Sequence, residues 1–192
     1  QPLGAMRFKG KSEAQPVFAV AGERTLSGDE YRSLFPTPLE GRAGELERLG
    51  SVLADLLAGR GQVLRVQGEA GVGKSHLAAV FLEEAQRQGV QVAVGSCQST
   101  GQDVAYGSVG AIARQLLGLL GQENRSPHAQ IDQLHAAVSR LNPEWLVRLP
   151  LLGDLLRLPI PDNPTTAAFT PQLRQEALIA LALEIVQARA RQ

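Results

Sequence analysis

Apolar residues recur along this chain with two periods. Helical spacing sets Leu46, Leu49, Val52, Leu53, Leu56 and Leu57 on one side of a helix that opens at Gly41-Arg42 and stops at Gly59 to Gly61. The same spacing puts Leu77, Ala78, Phe81, Leu82 and Ala85 on one face of a helix from Lys74 to Gln88, with Gly89 as its stop. Between these two, Val63-Leu64-Arg65-Val66 reads as a short strand; after the second helix, Val90 to Val94 alternate with period two as a second strand ending at Gly95-Ser96. The remainder is mostly helical. One stripe holds Val109, Ile112, Leu116 and Leu120, another Ile131, Leu134, Val138 and Leu141, and a Pro-broken apolar region runs from Trp145 to Ile160. Thr170 and Pro171 are a cap and first-turn pair for a last helix through Leu173, Ala177, Leu178, Leu181 and Ile185 to the end of the chain. Upstream of all this, Arg7 to Glu13 and Pro16 to Val20 read as two short strands around a polar turn.

The loop between the first predicted inner strand and its helix is Gly68-Glu69-Ala70-Gly71-Val72-Gly73-Lys74-Ser75, a complete G-x-x-x-x-G-K-[ST] pattern in strand-loop-helix order. A polyphosphate needs a concave row of backbone N–H donors, a helix N-terminus, a mobile cation and a hydroxyl for Mg²⁺. The octapeptide can supply each: the amides from Gly71 to Ser75 are expected to cradle the β-phosphate, Lys74 to bridge β and γ oxygens, and Ser75 to ligate the Mg²⁺ that arrives with a nucleoside triphosphate. Lys74 is the only lysine after Lys11 in a chain that otherwise draws positive charge from arginine. A compact ammonium enters a narrow loop that a planar guanidinium does not suit.

Bulk properties narrow the choices. The 192 residues carry zero formal net charge and 44% hydrophobic content, enough for a core and without a basic field for nucleic acid or an anionic membrane. Cys97 is the single cysteine, and His76, His128 and His135 show no metal-ligand spacing with it or one another. The longest apolar stretch, in the last predicted helix, is broken by Glu184 and falls short of a bilayer span. Without a signal-peptide pattern, the expected compartment is cytoplasmic.

In this setting the chain resembles the regulatory P-loop ATPases of the STAND branch of the AAA+ group, in the form that follows class III adenylate or guanylate cyclase domains in bacterial multidomain signalling proteins. The resemblance rests on Gly41-Arg42 with Glu45-Leu46 and Leu49, on the phosphate loop, on Gly95-Ser96-Cys97 with Ala105-Tyr106-Gly107, and on Leu149-Pro150-Leu151-Leu152-Gly153-Asp154. It implies that Gly41 and Arg42 help hold the nucleotide's base or sugar, although Leu39-Glu40 stands where an aromatic-valine pair is usual. Met6 to Val20 is similar to the last strands of a cyclase domain, with Phe8-Lys9-Gly10 in place of a Leu-Lys-Gly-like element, and carries no cyclase active site. The implied division is a cyclase-like tail over 1–22, a linker over 23–38 and the N-terminal part of an ATPase domain over 39–192. The fold class expected is α/β, a P-loop NTPase with an incomplete parallel sheet and a predominantly helical remainder.

The sheet is expected to be incomplete because no apolar strand ends in the acidic pair that holds Mg²⁺ through water; the resemblance places that strand just after Gln192. With no methionine before Met6, the chain reads as an internal piece of a longer polypeptide. Asp154 is the one near candidate for the acid, but Pro150 and Gly153 favour a turn into a helix there. The expectation is an ATP-binding regulatory module, a switch in its parent and poorly hydrolytic alone, whose partners are nucleotide and neighbouring cyclase, helical-repeat or DNA-binding domains. The alternatives are a non-hydrolysing, nucleotide-bound scaffold and, less favoured by the scattered arginines, a small-molecule kinase or a nucleic-acid motor.

Overall fold

A computed structural model describes residues 2–19, 28–97, 106–121 and 125–191. The chain begins with an antiparallel pair, β1 (Pro2–Met6) and β2 (Gln15–Phe18). The first strand therefore precedes the position expected for it. Phe8, Lys9 and Gly10 form the turn, closed by the Lys11 amide on the Phe8 carbonyl at 3.1 Å, and Gly10 takes the positive φ of 86° that such a reversal needs.

Part of the expected linker is ordered onto the domain that follows. Helix α1 (Gly28–Ser33) lies against α3 (Lys74–Arg87), and α2 (Ala43–Leu57) packs on α3 as well. Arg32 Nε donates to Glu83 Oε2 at 2.8 Å, while Phe35 stacks on the His76 ring with centroids 5.3 Å apart and planes 12° from parallel. Leu49 and Leu53 of α2, with Leu77 and Ala85 of α3, are buried in agreement with the predicted faces, and Ala79, outside the predicted face of α3, is buried with them.

The main core is made by α4 (Gly107–Leu116), α5 (Pro127–Leu141), a 3₁₀ helix (Pro143–Arg148), α6 (Leu149–Leu156) and α8 (Pro171–Ala190), with the short α7 (Pro164–Ala167) between the last two. Leu134, Val138, Leu151, Leu152 and Leu181 reach zero exposure there. The Pro-rich boundaries set these helices. Ser126 and Thr170 accept from the amides of Ala129 and Leu173, at 3.3 and 3.2 Å, each followed by proline at the first helical position.

The expected parallel sheet is corrected by the structure. Among the described residues β1 and β2 form the only ladder, and the segments 63–66 and 90–94 are extended without strand pairing. Val63, Leu64 and Val66 are all exposed. At the second segment a side chain takes the place of a neighbouring strand: the buried Gln115 amide donates to the Val94 carbonyl at 2.6 Å and accepts from the Val94 N–H at 3.0 Å. Period-two patterning identifies a chain that suits a sheet, but the ladder depends on partners elsewhere in the sequence.

An ion pair fastens the 3₁₀ helix to α8. Arg148 Nη1 and Nη2 reach Glu184 Oε1 and Oε2 at 3.0 and 2.6 Å, and this fork holds the Glu184 carboxyl below its ordinary value of 4.5. A depressed carboxyl contributes stability that is present above its ordinary value and is lost as pH falls through the lowered one. Acidification below about pH 4.5 should therefore cost the wild type more of its thermal midpoint than Glu184→Gln. Parallel curves of midpoint against pH would refute this assignment.

Candidate functional site

The loop 68–73 connects the exposed extended segment to the first turn of α3, whose cap is Gly73. Gly71 and Gly73 have φ of 78° and 90°, conformations that a residue with a Cβ adopts only at a cost, so the glycine spacing of the motif is explained by the backbone path. Gly68 meets a different restriction, set by a neighbouring side chain. A Cβ built there would lie 3.0 Å from the Val72 side chain across the loop.

Lys74 lies back along the loop. Its Nζ donates to the carbonyls of Gly68 at 3.0 Å and Glu69 at 2.7 Å, which uses two of its three N–H donors. Ser75 follows in the first turn of α3 and is exposed, as are Glu69, Ala70 and Val72. An open loop with glycines in left-handed conformations, an ammonium at its centre and an accessible hydroxyl on the adjoining helix has the donor set that a polyphosphate with Mg²⁺ requires.

Behind this surface, the Phe35 ring stacks on His76, whose Nε2 is buried with no hydrogen-bond partner among the described residues. Gly41 takes a φ of 67° and turns the chain into α2, for which Arg42 is the cap residue. Arg42 Nη1 donates to Glu45 Oε1 at 2.7 Å, and Nη2 crosses to the Val72 carbonyl at 2.8 Å. The guanidinium holds the Glu45 carboxyl below its ordinary range. The sequence-predicted residues thus divide into two groups joined by one hydrogen bond, the loop with Lys74 and Ser75 on one side and Gly41 with Arg42 on the other. The Arg42–Val72 contact has no local sequence signal, since 30 positions separate its ends.

Asp154 lies on α6, as the helix expectation required, with Oδ2 accepting from Arg174 Nε at 2.7 Å. Arg174 also holds Asp162 Oδ1 at 2.8 Å. Tyr106 caps α4 with a positive φ of 62°, whereas Ala105 of the same predicted motif lies outside the described residues. Cys97 Sγ is 3.3 Å from Ser108 Oγ. Among the described residues no group of three or more His, Cys, Asp or Glu is placed to hold a metal ion, and no helix is long and apolar enough to cross a membrane.

A family model described as the AAA ATPase domain matches residues 38–192. Over 76 residues the chain is 33% identical to an uncharacterized protein of Rhizobium meliloti (strain 1021), a stretch that makes up 38% of this chain and 7% of that protein. No solved structure matches the chain.

Proposed function

The chain belongs to the AAA ATPase domain family, and from that premise we propose that it is the ATP-binding regulatory module of a multidomain signalling protein. The observation that carries this reading is the loop 68–75, with Lys74 folded across it and two glycines in left-handed conformations, inside the family match. Backbone amides from Gly71 to Ser75 would hold the β-phosphate at the start of α3, where the helix dipole favours an anion. Lys74 would keep its two loop carbonyls and turn its third N–H to a β or γ oxygen. The Ser75 hydroxyl would ligate Mg²⁺, which supplies charge neutralisation of the phosphates when bound.

Regulation follows from the contacts of α3. A nucleotide that orders the loop acts on the same helix that carries Glu83 and His76, and through them on α1 and the chain preceding it. The neighbours we propose are cyclase, helical-repeat or DNA-binding domains of a cytoplasmic parent polypeptide. This part of the proposal rests on the resemblance of Met6 to Val20, and of the motifs around the loop, to cyclase-linked ATPases.

The alternative, nucleotide held without turnover by residues of this chain, is favoured by one observation: Asp154, the acid nearest to the required pattern, sits on a helix and is committed to Arg174. Titration of a fluorescent ATP analogue with Mg²⁺ tests the binding common to both readings, and phosphate release on the same sample separates them. Absence of binding by folded protein would sink both.

A further inference from the structure

We propose that Arg42 is a positioning residue of the phosphate loop, which acts by holding the 72–73 peptide with its carbonyl toward α2 and its N–H toward the phosphate. The inference rests on the nucleotide reading above and reassigns Arg42 from the base or sugar to the loop. Both terminal nitrogens of its guanidinium are engaged within the protein, Nη1 with Glu45 at 2.7 Å and Nη2 with the Val72 carbonyl at 2.8 Å. The pairing with Glu45 orients the flat guanidinium, and a fork fixed at one prong presents the other in a defined direction.

The consequence for the loop comes from peptide geometry. A trans peptide points its C=O and the following N–H in opposite directions, so a Val72 carbonyl bound to Arg42 turns the Gly73 amide away from α2. Gly73 is the cap residue of α3, and its N–H is among the donors that a phosphate at this helix start would use. The 72–73 peptide turns about ψ of Val72 and φ of Gly73, and on the Gly73 side, at a φ of 90°, no Cβ opposes its rotation. The Arg42 hydrogen bond favours the donor-inward orientation over the reverse, in which a carbonyl would face the anion. The residue thus spends its interactions on preorganising the site rather than on touching ligand.

The test uses a ligand without a base. Affinities of wild type, Arg42→Ala and Arg42→Lys are measured for Mg-ATP and for Mg-tripolyphosphate, with circular dichroism and thermal melting on each protein. The expected result is that Arg42→Ala weakens both ligands to a similar extent, roughly tenfold, as for loss of a charge-assisted hydrogen bond. Arg42→Lys, which keeps a cation and a donor for the Val72 carbonyl, should recover both to within about threefold of wild type, a rescue that a general loss of fold would not allow. A loss confined to Mg-ATP would return Arg42 to the base or sugar and overturn the proposal. So would unchanged affinities, or a loss that lysine does not reduce. If folded wild type binds neither ligand, the nucleotide reading itself fails and this inference falls with it, an outcome distinct from wild-type binding that is indifferent to Arg42.

Discussion

Alanine in place of Lys74 is expected to weaken Mg-ATP binding by on the order of a hundredfold while leaving the helical content of the protein unchanged. The side chain donates to two carbonyls of its own loop, Gly68 and Glu69, in an exposed segment, so its removal costs the fold little. What it removes is the ammonium held on the loop carbonyls. Arginine should not restore binding, because the loop closes around a point charge and the guanidinium needs a flat partner. The check is a titration of a fluorescent ATP analogue into wild type, Lys74→Ala and Lys74→Arg with Mg²⁺ present. Affinities within a factor of about three across the series would show that the loop is not the nucleotide site.

The second large effect is a reversal of sign between two glycines that look alike in sequence. Gly50 lies within α2 and a Cβ there meets nothing within 4 Å, whereas a Cβ on Gly110 in α4 would sit 2.7 Å from the Leu155 carbonyl oxygen of α6. Alanine gains up to about 1 kcal/mol over glycine inside a helix from backbone entropy alone. Gly50→Ala should therefore stabilise the protein by about 0.5–1 kcal/mol. At Gly110 the same gain is outweighed, because α4 and α6 must separate against a core that contains Leu151, Leu152 and Leu156, and overpacking of this kind costs roughly 1–3 kcal/mol. Net destabilisation of about 1–2 kcal/mol is expected for Gly110→Ala. Urea unfolding of both variants decides the point; shifts of the same sign would contradict the close approach of the two helices.

Sequence pattern foretold the helices well and the sheet poorly, and the difference has a physical cause. A helix closes its hydrogen bonds within a few residues and announces its ends locally, as Ser126 and Thr170 with their prolines do. The segments 63–66 and 90–94 carry strand composition, but their pairing depends on chain elsewhere, and Val94 takes both its backbone partners from Gln115, a residue that helical periodicity gave no reason to single out. The candidate site divides in the same way. The octapeptide was legible because its chemistry is contiguous, and Gly41-Arg42 through a resemblance. The hydrogen bond that joins Arg42 to Val72 exists only because α2 lies beside α3.

The stacking of Phe35 on His76 separates two ways of drawing a boundary on this chain. Likeness to the family begins at residue 38, yet the aromatic ring and the arginine that cover α3 lie before it, at 35 and 32. A protein cut where the likeness starts would keep every residue of the phosphate loop and strip the helix behind it. It would expose an imidazole one position from Ser75 and leave Glu83 without its guanidinium. The inherited unit and the physical unit thus differ at this end, and α1 with Phe35 belongs to the second.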